Sequence, residues 1–379
     1  MCGECGVGEG VGDDEIIYST RKVNEIYYKY KNMTQIQELG EFRLIDALTE
    51  CIELQNESSK VGVGDDCAVM NYGEKDVVAT TDLLLEGIHF DLTYTPLKHL
   101  GYKAAMVNIS DVCAMNARPT QMLVSLGISQ RFHVEQIEEL YAGIYLACEK
   151  AGVDVVGGDT SASLTGLTIS ITCLGEVEKD RAVLRSGAKE TDLICVTGDL
   201  GAAYMGLQLL EREKQIFQSG QDEGFRPDFA GKEYILERQL KPEACIDTIK
   251  YLREKNIVPT AMMDVSDGLS SELLHICKAS GVGCRVYEDK LPIDYATASM
   301  CDEFNMNLTT VALNGGEDYE LLFTVPLSEH EKLQGLEGVH IIGHITDANS
   351  GSALVTRDGQ EIRITAQGWN AFKGETDAE

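Results

Sequence analysis

The 379-residue chain predicts an α/β (or α+β) protein of two lobes, on three observations. Short apolar strand-like runs alternate with helical stretches in both halves. The length suits about two domains at roughly 150 residues each. In both halves, small acidic motifs wrapped in Gly, Ser or Thr close a strand or open a helix, which places chemistry at corresponding points of two facing lobes.

The elements follow in order. Residues 1–35 are glycine-rich and then Tyr/Lys-rich, and form an extension expected to be disordered, with Met33 a candidate natural start. Phe42, Ile45, Leu48 and Ile52 have helical spacing over 41–54. Strands are expected at 61–70 and 77–81, and helices at 97–117 and 134–150. Val153–Val156 is a buried strand running into Gly157-Gly158-Asp159, and 167–174 alternates as another. The second lobe begins near Arg181. Strands are expected at 193–197, 262–264, 283–287, 309–313, 319–325 and 340–345, with helices at 202–213 and 269–278 and a surface loop over 217–233. The domains are therefore 1–35, 36–180 and 181–379.

Composition excludes several classes. A net charge of −30, with no long Lys/Arg run, argues against nucleic acid. No run approaches 18 apolar residues, so no membrane partner is expected. The 12 cysteines are scattered through apolar segments, as buried free thiols of a cytoplasmic protein would be. Cys2 and Cys5 form a lone C-x-x-C, too little for a zinc site.

The acidic motifs carry the chemistry. They are Gly64-Asp65-Asp66, Thr80-Thr81-Asp82, Asn108-Ile109-Ser110-Asp111, Gly157-Gly158-Asp159, Thr197-Gly198-Asp199, Asp264-Val265-Ser266-Asp267-Gly268 and Gly315-Gly316-Glu317-Asp318. One such motif is ordinary turn chemistry. Seven point to a site that gathers Mg²⁺, which takes hard oxygen ligands and usually accompanies phosphate. No Walker loop or protein-kinase signature is present, so backbone amides near glycine turns and metal ions must hold any nucleotide. Taken singly, Asp65 reads as a turn residue, Asp199 as a strand-end turn, His89 and Trp369 as structural, and Arg185 as a surface arginine.

Together with Gly87-Ile88-His89-Phe90, Arg185-Ser186-Gly187-Ala188, the longer run Gly315-Gly316-Glu317-Asp318-Tyr319-Glu320-Leu321 and Gly368-Trp369-Asn370, these motifs occur in the order found in thiamine-monophosphate kinases. The resemblance covers about 36–373. It implies ATP-dependent phosphorylation of thiamine monophosphate to thiamine diphosphate by direct in-line transfer with several Mg²⁺ ions. It implies catalytic carboxylates at Asp66, Asp82, Asp111 and Asp264. Metal ligands would be Asp66, Thr80, Thr81, Asp82, Asp111, Asp159, Asp264 and Asp267. Nucleotide contacts would come from Tyr141, Gly158, Asp159, Arg185 and Ser266, and acceptor contacts from His89, Glu317 and Trp369. The family further implies a homodimer whose N-terminal mixed sheets pair into a barrel, and a mixed sheet in the C-terminal lobe. Two alternatives stand beside it: another ATP-dependent enzyme of the aminoimidazole-ribonucleotide and selenophosphate synthetase superfamily, and a non-catalytic acidic cation-binding protein. Against the former, taken as a selenophosphate synthetase, this chain has no reactive cysteine beside Lys60, where that chemistry would need one; the latter has no use for Arg185, His89 and Trp369.

Overall fold

A computed structural model describes residues 59–61, 64–219, 227–333 and 336–367. The extension 1–35, the helix expected at 41–54 and Trp369 lie outside the described residues.

In the first lobe the strands are β1 (Ser59–Val61), β2 (Ala68–Asn71) and β3 (Lys75–Leu85). Helix α1 (Leu97–Ala114), β4 (Arg118–Ile128), α2 (Val134–Ala151), β5 (Asp154–Ala162) and β6 (Thr168–Glu178) follow. They form a six-stranded mixed sheet of order β1-β2-β3-β6-β4-β5, antiparallel except for β4 against β5. The expected strand at 61–70 is divided in two, because Gly64-Asp65-Asp66 turns the chain, with Gly64 at φ +128°. Strand β4 went unread; its Pro119 invited a stop, yet a register shift beside Pro119 accommodates the ring in the pairing with β6.

Helix α1 is buried at 15 of its 18 positions. A helix apolar on nearly every side belongs inside the protein. It packs on α2, on β3, β4 and β6, and also on β8 (Ala261–Asp264) of the second lobe. Its crossing with α2 is very close: a Cβ on Gly101 would lie 1.9 Å from the Leu140 carbonyl oxygen, and one on Gly143 equally near that of Lys98. Helix α2 ends on Gly152 in the left-handed conformation.

The second lobe begins with β7 (Leu193–Thr197), α3 (Ala202–Ser219), α4 (Glu233–Leu240) and α5 (Ile246–Glu254), and continues through β8. After it come α6 (Leu269–Ser280), β9 (Gly283–Tyr287), α7 (Tyr295–Phe304), α8 (Leu308–Asn314) and β10 (Leu321–Val325). A single turn, α9 (His330–Leu333), then precedes β11 (Val339–Thr346), β12 (Ser352–Val355) and β13 (Glu361–Arg363). The sheet has the order β13-β12-β9-β11-β7-β10-β8 and is mixed, with β12 parallel to β9. Strands β7 and β10, and the edge strand β8, are buried along their whole length.

Two expectations fail here. Thr309–Leu313 is helical, not a strand: the Asn307 side chain accepts from the Thr310 amide at 2.8 Å, and this cap overrides the β-branched bias of Thr309, Thr310 and Val311. The helix expected to stop at 213 runs to Ser219, so the first part of the expected 217–233 loop is helical. Cys113, Cys148, Cys173 and Cys195 are buried free thiols, as expected. Among the described residues no helix is long and apolar enough to cross a membrane.

Candidate active site

Four of the seven acidic motifs meet near Asp111 of α1. The turn before β2 carries Asp65 and Asp66, β3 carries Thr80 and Asp82, α1 carries Ser110 and Asp111, and β8 ends on Asp264. Carboxylate oxygens of Asp66, Asp111 and Asp264 all lie within 4.8 Å of one another. The Thr80 hydroxyl donates to Asp111 at 2.6 Å, and the Ser110 hydroxyl donates to Asp264.

So many acids in so little water shift their titration. Burial, then the field of Asp66, pushes Asp264 up to about 7. Burial raises Asp82 to about 6. Asp111 is driven well above the carboxylate range by burial and then by Asp82, Asp264 and Asp66. Asp66 is raised by burial, against the opposing pull of Arg185. A divalent cation would relieve this mutual repulsion, and carboxylate plus hydroxyl oxygens are the donors Mg²⁺ takes. The residues present therefore fit a Mg²⁺ site.

Arg185 grips Asp66 with both arms of its fork, Nη2 to Oδ1 at 2.9 Å and Nε to Oδ2 at 3.3 Å. Its own amide donates to Asp65 at 2.6 Å, so Asp65 anchors the loop that carries Arg185. A phosphate reaching Arg185 would share it with Asp66.

Period-two alternation along β3 decides which of its residues can join the cluster. Thr80 faces α1. Thr81 points to the other face, where its hydroxyl donates to the Ile171 carbonyl and accepts from Thr172. The Thr81 side chain is thus not brought to the carboxylates, although it was expected among the metal ligands.

Gly157-Gly158-Asp159 is part of β5 and not a turn after it. The register slips between Met122 and Leu123, leaving Val156 as an extra, exposed residue just before the glycines. Gly158 has φ +155°, and a Cβ there would sit 1.7 Å from the Val124 carbonyl oxygen. Asp159 is exposed and stands apart from the three clustered carboxylates. Tyr141 lines a groove of about 740 Å³ on α2, with Ile128, Phe132, Ile137 and Tyr145.

After β8, the Asp267 amide donates to Glu272 at 2.8 Å, and buried Glu272 is itself raised to about 8 by burial and by Asp267. Asp267 does not join the three-carboxylate group. The Ser266 carbonyl accepts from the Glu317 amide at 2.6 Å, tying the 264–268 loop to the 315–320 turn. Glu317 and Tyr319 hold left-handed conformations, φ +57° and +52°, which cost strain in non-glycine residues. The Glu317 carboxylate accepts from Lys103 of α1 at 3.0 Å and Gln239 of α4 at 2.8 Å. His89 is exposed, and its Nδ1 accepts from the Leu85 amide at 3.0 Å. Lys103, Gln239, Ser110 and Glu272 were not foreseen. For Lys103 and Glu272 a charge set inside an apolar helical run was the available signal.

The chain matches the family of AIR synthase related proteins, the N-terminal domain over residues 64–177 and the C-terminal domain over 189–356. It is 36% identical over 338 residues to the thiamine-monophosphate kinase of Aquifex aeolicus (strain VF5), spanning 89% of this chain and 100% of that protein. To the Bacillus subtilis (strain 168) thiamine-monophosphate kinase it is 33% identical, over 88% of this chain and 100% of that one. A solved structure described as AaThiL complexed with AMPPCP and TMP superposes with TM-score 0.76 at 34% identity, covering 89% of this chain and 99% of that one. With its fold, its motifs and these relatives in agreement, the chain belongs to the thiamine-monophosphate kinase family.

Proposed function

We propose that this chain phosphorylates thiamine monophosphate with ATP, giving thiamine diphosphate and ADP by direct in-line transfer. The observation that carries the reading is the close group of Asp66, Asp111 and Asp264, half-buried to buried, at the junction of the two sheets, in a chain of this family. Asp66, Thr80, Asp82, Asp111, Asp159, Asp264 and Asp267 would hold Mg²⁺, with Thr81 restricted to a backbone contribution. Bound Mg²⁺ would neutralise phosphate charge and bring the two anionic reactants together.

The chain's own residues then orient the partners. Gly158 lets backbone approach the nucleotide, Tyr141 offers an aromatic face beside it, and Arg185 and Ser266 contact its phosphates. His89, Glu317 and Trp369 hold the acceptor. An acceptor phosphate oxygen attacks the γ-phosphorus, the bond to the β-bridging oxygen breaks, and ADP leaves. That oxygen is already anionic, so positioning and electrostatics supply the catalysis without a strong base. On this reading, 36–180 is the ATP and Mg²⁺ domain and 181–379 completes the cleft, with 1–35 an extension. The protein acts in the cytoplasm as a homodimer paired through the first sheet. The outer face of that sheet supports such pairing, since it exposes Leu83 at 53%.

Chromatography of products from ATP, Mg²⁺ and thiamine monophosphate, with free thiamine as a parallel acceptor, tests this. Thiamine diphosphate formed only from the monophosphate, and lost with chelator or Asp82→Ala, is expected. ATP consumption without diphosphate would move the chain to another branch of the superfamily.

A further inference from the structure

Lys103 is a lysine where an apolar residue would be expected. It lies within α1 at 5% exposure, between Tyr102 and Ala104, which are also buried. An ammonium group at that depth must be paired. Its partners are Glu317 Oε2 at 3.0 Å and the Gln239 carbonyl oxygen at 3.0 Å. Gln239, itself 5% exposed, adds its Nε2 to the same Glu317 oxygen at 2.8 Å. Both donors therefore occupy one oxygen of the carboxylate. The other, Oε1, takes no hydrogen bond among the described residues, and the Glu317 side chain is 33% exposed. Glu317 is also fixed at its backbone, through the left-handed turn and the bond to Ser266.

We propose that Lys103 and Gln239 form a positioning pair that locks the Glu317 carboxylate and presents its free oxygen to the amino-substituted heteroaromatic end of the acceptor. This rests on the kinase reading above and adds to it the residues that set acceptor specificity. The arrangement has a geometric consequence. Lys103 and Asp111 stand eight residues apart on one rigid helix, about 12 Å along its axis. Helix α1 thus references the carboxylate cluster and the Glu317 carboxylate to a single ruler, so one acceptor is gripped at its phosphate and at its far ring together.

Steady-state kinetics of Lys103→Met, Lys103→Arg, Gln239→Leu and Glu317→Gln, with both substrates varied, tests this. Lys103→Met removes charge-assisted hydrogen bonds to a residue that meets only the acceptor. The KM for thiamine monophosphate should rise roughly 10- to 100-fold while the KM for ATP stays unchanged. Lys103→Arg should recover part of the loss, and Gln239→Leu should give a smaller rise in the same KM. Lys103→Met combined with Glu317→Gln should cost little more than Glu317→Gln alone, because both act through one contact. Equal rises in both KM values, a fall in kcat alone, or additive losses would overturn the proposal. Should Lys103→Met fail to fold by circular dichroism, Gln239→Leu decides on the same criteria. A wild type that makes no thiamine diphosphate would overturn the kinase reading together with this inference, whereas an active wild type with unchanged variants overturns this inference alone.

Discussion

Replacing Asp264 by Asn should stabilise the metal-free protein while destroying its activity. Asp264 is 3% exposed, and its carboxyl is moved from 3.8 to about 7, by burial first and then by Asp66, with Ser110 and Arg185 pulling the other way and Asp82 adding to the rise. A folded-state pKa above the unfolded one means that the native protein holds a proton the unfolded chain has lost. Stability therefore falls as pH rises from about 4 to about 7 and is flat above. Some three pH units at about 1.4 kcal/mol each give a ceiling of about 4 kcal/mol. Neighbouring acids relax when one charge is removed, so about 2 kcal/mol is expected. Asn keeps an acceptor for the Ser110 hydroxyl, which limits other changes. Urea unfolding in chelator across pH 4–9 should show the variant gaining on wild type between pH 4 and 7 and holding its lead above. Added Mg²⁺ should raise the wild-type midpoint and hardly move that of the variant. Turnover should drop roughly 100-fold or more. A variant less stable than wild type in chelator at pH 8, or one that never gains on it as pH rises, would refute the argument.

Three further outcomes are expected. Gly158→Ala should cost about 3 kcal/mol or more in urea unfolding, since its Cβ would fall 1.7 Å from the Val124 carbonyl oxygen at a φ that L-residues avoid. Gly143→Ala should lose about 2–3 kcal/mol by the same measurement, because α1 and α2 must part to admit a Cβ beside the Lys98 carbonyl. Asp318, raised to about 7 mainly by burial despite the field of Arg238 and its bond from the Gly201 amide, should behave like Asp264. The melting temperature of Asp318→Asn relative to wild type should climb from pH 4 to 7 and then level off.

What could be read from the sequence was what small neighbourhoods encode. Asp66, Asp111 and Asp264 announced themselves because a carboxylate flanked by Gly or Ser has few other uses when repeated. Helix α2 carried its periodicity openly, and α1 was legible as a long apolar run. What stayed hidden depended on pairing across long separations. The fork of Arg185 on Asp66 spans 119 positions, and the grip of Lys103 on Glu317 spans 214. No local pattern announces such partners. Gly157-Gly158 looked like a turn because glycine usually marks one. Here Gly158 serves close strand packing against β4 instead, which only the neighbouring strand explains. Thr309–Leu313 failed for the opposite reason: a single capping side chain outweighed the preference of the residues after it.

The alternation along β3 has a last consequence, for how such a chain can change over time. Thr80 and Asp82 serve the cleft while Thr81 and Leu83 furnish the outer face, so a single strand is written in two interleaved texts. Substitutions can revise either text alone. An insertion or deletion of one residue inside β3 would exchange them, sending Thr81 and Leu83 inward and Asp82 out. Length variation should therefore gather in the 72–74 turn and beyond Leu85, while the strand between keeps its residue count even where its letters drift.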